Sequence, residues 1–67
     1  MTQFEYERLL NTLAKALSTQ RRYIQLVRSV PLSGGYVAHG VNLRGYRYCV
    51  TLCGDKIIEV ARGIAVI

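Results

Sequence analysis

The chain has 67 residues, 51% of them apolar, with nine Lys/Arg against four Asp/Glu and a formal net charge of +5. That length allows one domain, 1–67, with a thin core; it leaves no room for a two-lobed enzyme or a dinucleotide-binding fold. The apolar content is too high for a disordered tail, and no apolar run approaches the ~20 residues needed to cross a bilayer.

The N-terminus, Met1-Thr2-Gln3-Phe4-Glu5-Tyr6-Glu7, is acidic and lacks the basic-then-apolar layout of a signal peptide, so a cytoplasmic protein is expected. Residues 2–29 read as helix. Thr2 and Glu5 fit a capping box, and Met1 and Tyr6 occupy staple positions. Tyr6, Leu9, Leu10, Leu13, Ala16, Leu17, Ile24 and Val27 fall on one stripe at helical spacing. Gln20 interrupts it, and Ser18-Thr19 suits a second cap, so the segment is either one helix or a pair broken there. Pro31 ends it, because its ring disfavours helical geometry at Val30.

Beyond Pro31 the period changes. Ser33-Gly34-Gly35 is a flexible turn, and Tyr36–Val41 reads as a strand. Asn42-Leu43-Arg44-Gly45 suits a four-residue type I turn. Tyr46–Cys53 is rich in aromatic and β-branched residues and reads as a second strand. Gly54-Asp55 suits a type II′ hairpin turn leading into a third strand, Lys56–Arg62. After a kink at Gly63, Ile64–Ile67 is an apolar, strand-like stub. The expected fold is α+β: a long N-terminal helix on a three- to four-stranded antiparallel sheet spanning 36–67, in the order α-β-β-β.

These turns imply a register that pairs Val41 with Tyr46, Leu52 with Ile57 and Val50 with Glu59. One face then holds Val37, His39, Val41, Tyr46, Tyr48, Val50, Leu52, Ile57, Glu59 and Ala61. The other holds Tyr36, Ala38, Gly40, Arg47, Cys49, Thr51, Cys53, Lys56, Ile58, Val60 and Arg62. Neither face is cleanly polar, and one helix covers only one of them. An exposed apolar edge is normally avoided. A homodimer or higher homo-oligomer is therefore expected, with Ile64, Val66 and Ile67 at its interface; the alternative is a stub folded back on its own helix.

Catalytic chemistry finds little purchase. Cys49 and Cys53, four apart in one strand, would lie ~13 Å apart, beyond disulfide reach, and read as small reduced thiols. His39 points away from both in this register, and their spacing matches no zinc pattern, so neither a metal site nor a Cys–His nucleophile is expected. Glu5 and Glu7 suit a helix start and Asp55 a turn, leaving no carboxylate pair for acid–base work. The glycines fit no phosphate-binding fingerprint. Neither an enzyme nor a cofactor is expected.

Binding remains. Arg44, Tyr46, Arg47 and Tyr48, with Tyr36 on the neighbouring strand, form a basic-aromatic cluster, the residue types enriched at protein-interface hot spots. The same tyrosines also suit the core beneath the helix with their hydroxyls at the rim, or base stacking. A basic pI near 9.7 accompanies nucleic-acid binders, and equally ordinary solubility. Arg8, Lys15 and Arg22 recur every seven residues on the helix back; with Arg21 and Arg28 they make either a solvated face or a phosphate-tracking ridge. The favoured reading is a small non-catalytic interaction protein that binds and blocks or adapts a larger protein partner, of the kind phages and mobile elements direct against nucleic-acid-handling complexes. Direct nucleic-acid binding, and service as a structural subunit of a homo-oligomer, are the alternatives.

Overall fold

The computed structural model describes residues 1–63. One helix, α1 (Gln3–Ala16), precedes four antiparallel strands: β1 (Ile24–Pro31), β2 (Tyr36–Leu43), β3 (Tyr46–Cys53) and β4 (Lys56–Arg62). They form one open sheet in the order β1-β2-β3-β4. The α+β class and the antiparallel sheet are as the sequence predicts, with an additional strand at the front. No helix among the described residues is long and apolar enough to cross a membrane. The stub at Ile64–Ile67, with the oligomer contacts expected of Ile64, Val66 and Ile67, lies outside the described residues.

The capping box forms as expected. The Thr2 amide donates to Glu5 Oε1 at 2.9 Å, and the Glu5 amide donates to Thr2 Oγ1 at 3.1 Å. The expected continuation to residue 29 does not occur. Ser18 adopts a left-handed φ of 53°, while the Thr19 amide donates to the Ala14 carbonyl and the Ser18 amide to that of Lys15. This pair of reversed bonds is a Schellman closure, which satisfies carbonyls the helix would otherwise leave open. A short 3-10 turn at Arg21–Tyr23 then leads into β1, where the helix was expected to run on. Ile24 and Leu26 alternate inward on β1 and pack against the core.

The β2–β3 turn is tighter than expected. Leu43 pairs with Tyr46 and Val41 with Tyr48, leaving Arg44-Gly45 as a two-residue loop. Both loop residues have positive φ (53° and 88°), the type I′ geometry whose twist matches that of a hairpin. The Asn42 side chain accepts from the Gly45 amide at 3.0 Å. This register differs from the expected one by two residues, so every β2 and β3 side chain keeps its face. At the next hairpin Gly54 takes the positive φ its turn requires, and Leu52 pairs with Ile57 as expected. An irregularity between Thr51 and Leu52 then places Val50 opposite Val60 rather than Glu59. From there the faces of β4 reverse: Glu59 and Ala61 join the open face, while Val60 and Arg62 join the helix face.

Leu13 of α1 is fully buried against Val41, Val50 and Leu52, with Leu9, Ala16, Leu17, Ile24, Leu26 and Ile57 around them. The opposite face of the sheet has no helix on it. Its middle carries the small side chains of Ala38, Gly40, Cys49 and Thr51, of which Ala38 and Gly40 are buried by their neighbours.

Candidate docking surface

The antiparallel order brings five chain segments to one end of the molecule: the C-terminal turn of α1, the 3-10 turn, the β2–β3 loop, the start of β3 and the end of β4. Lys15, Arg21, Arg22, Arg44, Arg47 and Arg62 stand there. Glu7, whose side chain meets Arg21 at 2.8 Å, is the acid that reaches them. Arg8, Arg28 and Lys56 lie elsewhere and are matched in number by Glu5, Asp55 and Glu59. The formal charge of +5 is thus a property of one end.

Among the described residues the ion pairs are Arg21–Glu7 and Arg8–Asp55. Arg22, Arg44, Arg47 and Arg62 therefore lack an acidic partner among those residues. Two tyrosines organise them. The Arg44 guanidinium lies 4.1 Å from the centroid of the Tyr23 ring and that of Arg22 lies 5.0 Å from it. Arg22 Nη2 also reaches the Tyr23 hydroxyl at 3.3 Å. Arg62 lies 4.9 Å from the Tyr46 centroid, a contact made possible by the reversed face of β4. Each contact at an exposed site contributes about 0.5–1 kcal/mol and holds a planar cation against a ring. Guanidinium edges so held suit bidentate contact with phosphate or carboxylate oxygens. Beside them Leu17, Ser18, Thr19, Gln20, Tyr23, Leu43 and Arg44 line an open hollow of about 610 Å³.

The two residue sets expected from sequence are redistributed. Arg44, Tyr46, Arg47 and Tyr48, expected at a protein interface, share this end with Lys15, Arg21 and Arg22, expected to track phosphate. Tyr46 is exposed and Tyr48 half-buried, so core packing beneath the helix is not the role of Tyr46. Three expected members lie elsewhere. Tyr36 pairs with Cys53 at the far end of β2, Arg8 is held by Asp55 and stacks over Phe4, and Arg28 lies midway along edge strand β1. The sequence reading missed Tyr23 and Arg62. The signal for Tyr23 was the run Arg21-Arg22-Tyr23 just before an alternating apolar segment, hidden by the helical assignment.

The other titratable groups are accounted for by their surroundings. Glu5 sits below the ordinary carboxylate range, chiefly through the Thr2 backbone hydrogen bond and then that to the Thr2 hydroxyl. Glu7 is lowered by its bond to Arg21. His39 is buried, and its Nδ1 lies 2.7 Å from Ser29 Oγ; burial holds its pKa below the usual 6.5. Burial, aided by the nearby Glu59 charge, raises the Cys49 thiol. A groove of about 520 Å³ between α1 and the sheet is lined in part by Leu9, Thr12, Val37, His39 and Leu52 and by the paired Arg8 and Asp55. Among the described residues no three His, Cys, Asp or Glu side chains gather as metal ligands.

No protein-family model, curated protein or solved structure matches this chain.

Proposed function

We propose that the chain is a small non-catalytic binding protein that docks its arginine–tyrosine end onto an anionic surface of a larger partner and acts by occupying that surface. One observation carries this reading: the formal charge of +5 stands at one end, where three of the six cations, Arg22, Arg44 and Arg62, are held by Tyr23 and Tyr46. A cationic end on an otherwise balanced molecule steers the approach as well as the final contact. The partner then loses access to whatever normally binds there, or gains this chain as an adaptor. Two free cysteines, both half-buried, suit a reducing compartment, and we assign the protein to the cytoplasm.

The test compares two double variants of equal charge change for retention on immobilised heparin and immobilised polyglutamate. Arg22→Glu/Arg44→Glu alters the proposed surface, and Arg8→Glu/Lys56→Glu alters the opposite end. Loss of retention confined to the first variant supports the reading. Equal loss in both would reduce the effect to net charge and overturn it.

A further inference from the structure

We infer that the anionic partner of the charged end is the phosphate backbone of a single-stranded nucleic acid; this rests on the docking reading above and names its partner. Three features point to a flexible phosphate chain. First, four arginines at this end, Arg22, Arg44, Arg47 and Arg62, have no acidic partner among the described residues. They come from four different segments, the 3-10 turn, the β2–β3 loop, β3 and β4, and only Arg44 among them lines the hollow. A strand that bends freely meets such an arrangement one phosphate at a time, whereas a rigid acidic surface must match it all at once.

Second, the cations continue around the edge of the sheet. Arg47 and Arg28 lie on the uncovered face, where Arg47 pairs opposite Asn42 and Arg28 opposite Gly40. Asn42, Gly40 and Cys49 lie between them on that face, so the two arginines stand on one continuous stretch of sheet. Third, Tyr46 is 56% exposed and carries a single guanidinium, that of Arg62, which leaves ring surface beside the phosphate contacts for an unstacked base, while Tyr23 is taken up by Arg22 and Arg44. A basic track with interleaved aromatics is the general basis of single-strand binding, and it is sequence-tolerant. Duplex reading requires a helix or ribbon placed in a groove. Here α1 lies on the sheet, and Glu7 and Arg8 on it are engaged by Arg21 and Asp55.

The test is fluorescence anisotropy of the full chain with three labelled probes: a 20-nucleotide oligo-dT, a 20-base-pair duplex and a polyglutamate peptide. Binding to oligo-dT is expected to exceed binding to the duplex and to fall about fifty-fold between 50 and 200 mM salt, as four single-strand phosphate contacts require. In Arg44→Gln/Arg47→Gln two contacts remain, and the same salt change lowers affinity only about sevenfold. Arg8→Gln leaves both values unchanged. Tighter duplex binding overturns the inference. So does binding to polyglutamate alone, which leaves the docking reading standing with a protein as partner. Binding to none of the three probes overturns both.

Discussion

The Arg44 guanidinium sits 4.1 Å from the centroid of the Tyr23 ring, joining the β2–β3 loop to the 3-10 turn that precedes β1. Neither residue is near the other in sequence, and the contact exists because β1 pairs with β2 down to Ile24–Leu43. With Arg22 on the same ring, Tyr23 is the fixed element of the charged end. Tyr23→Ala is expected to cost about 1 kcal/mol of stability through lost cation–ring contacts. For a domain of this size that lowers the melting temperature by roughly 4–8 °C. Polyanion affinity falls about fivefold as both arginines lose their orientation. Tyr23→Phe keeps both cation–ring contacts and loses only the Arg22–hydroxyl bond, so it should recover most of both quantities, as melting curves and binding titrations would register.

Leu13 is the core's keystone on the helix side, fully buried against Val41, Val50 and Leu52. Leu13→Ala removes three buried carbons and leaves a cavity, at a cost of about 2–5 kcal/mol. A domain this small has a total stability of roughly 3–10 kcal/mol. The variant is expected to lose the cooperative thermal transition or to melt far lower by circular dichroism. An unchanged transition would show that α1 does not carry the core.

His39 gives the fold a pH dependence. Burial lowers its folded pKa below the unfolded value of 6.5, so the unfolded chain binds the proton more readily. Its contribution to stability is therefore complete above pH 6.5 and declines as pH falls through that value toward the folded pKa. The melting temperature should drop between pH 7.5 and 5.5, above the range where the carboxylates titrate. His39→Gln should flatten that interval. A slope retained in the variant would assign the effect to another group.

The N-terminal cap was legible at the level of single atoms, because a capping box is a local four-residue device. The β3–β4 pairing at Leu52–Ile57 was equally legible, since Gly54 dictates the turn. Strand β1 was not. Ile24 and Val27 continue the helical stripe of Leu13 and Leu17, and what ends the helix is a left-handed Ser18, a conformation more usual for Gly or Asn. Once residues 20–29 are strand rather than helix, Arg21, Arg22 and Tyr23 move from a helix back to the end of a sheet. The site was obscured for that reason, although most of its arginines were already singled out. The reversal of β4 beyond Thr51, which brings Arg62 onto Tyr46, depends on a single extra residue that no turn signal announces.

Thr2 offers a test of the helix independent of the site. Its hydroxyl accepts from the Glu5 amide and its own amide is satisfied by the Glu5 carboxylate. Thr2→Ala removes the cap oxygen and should cost about 1 kcal/mol. Thr2→Asp retains an acceptor and places a negative charge at the helix start, so its stability should remain near that of the parent chain. Equal losses in both variants would mean that the cap oxygen does not contribute.

Arg44 carries a conflict between turn geometry and charge, and the conflict makes a sharp prediction. It occupies the first position of a type I′ turn at φ 53°, where Asn is the preferred residue and a longer side chain is strained. Nothing in the hairpin itself calls for arginine there, whereas contact with Tyr23 and an anionic partner does. Arg44→Asn should relax the turn, since the left-handed conformation costs an ordinary residue about 1–2 kcal/mol and Asn less. It also removes one cation and one ring contact. The expected result is a melting temperature raised by a few degrees together with weaker polyanion binding, stability and binding moving in opposite directions. A variant that is stabilised and binds as well as the parent would remove Arg44 from the docking surface. One that is destabilised would show that the Tyr23 contact outweighs the strain of the turn.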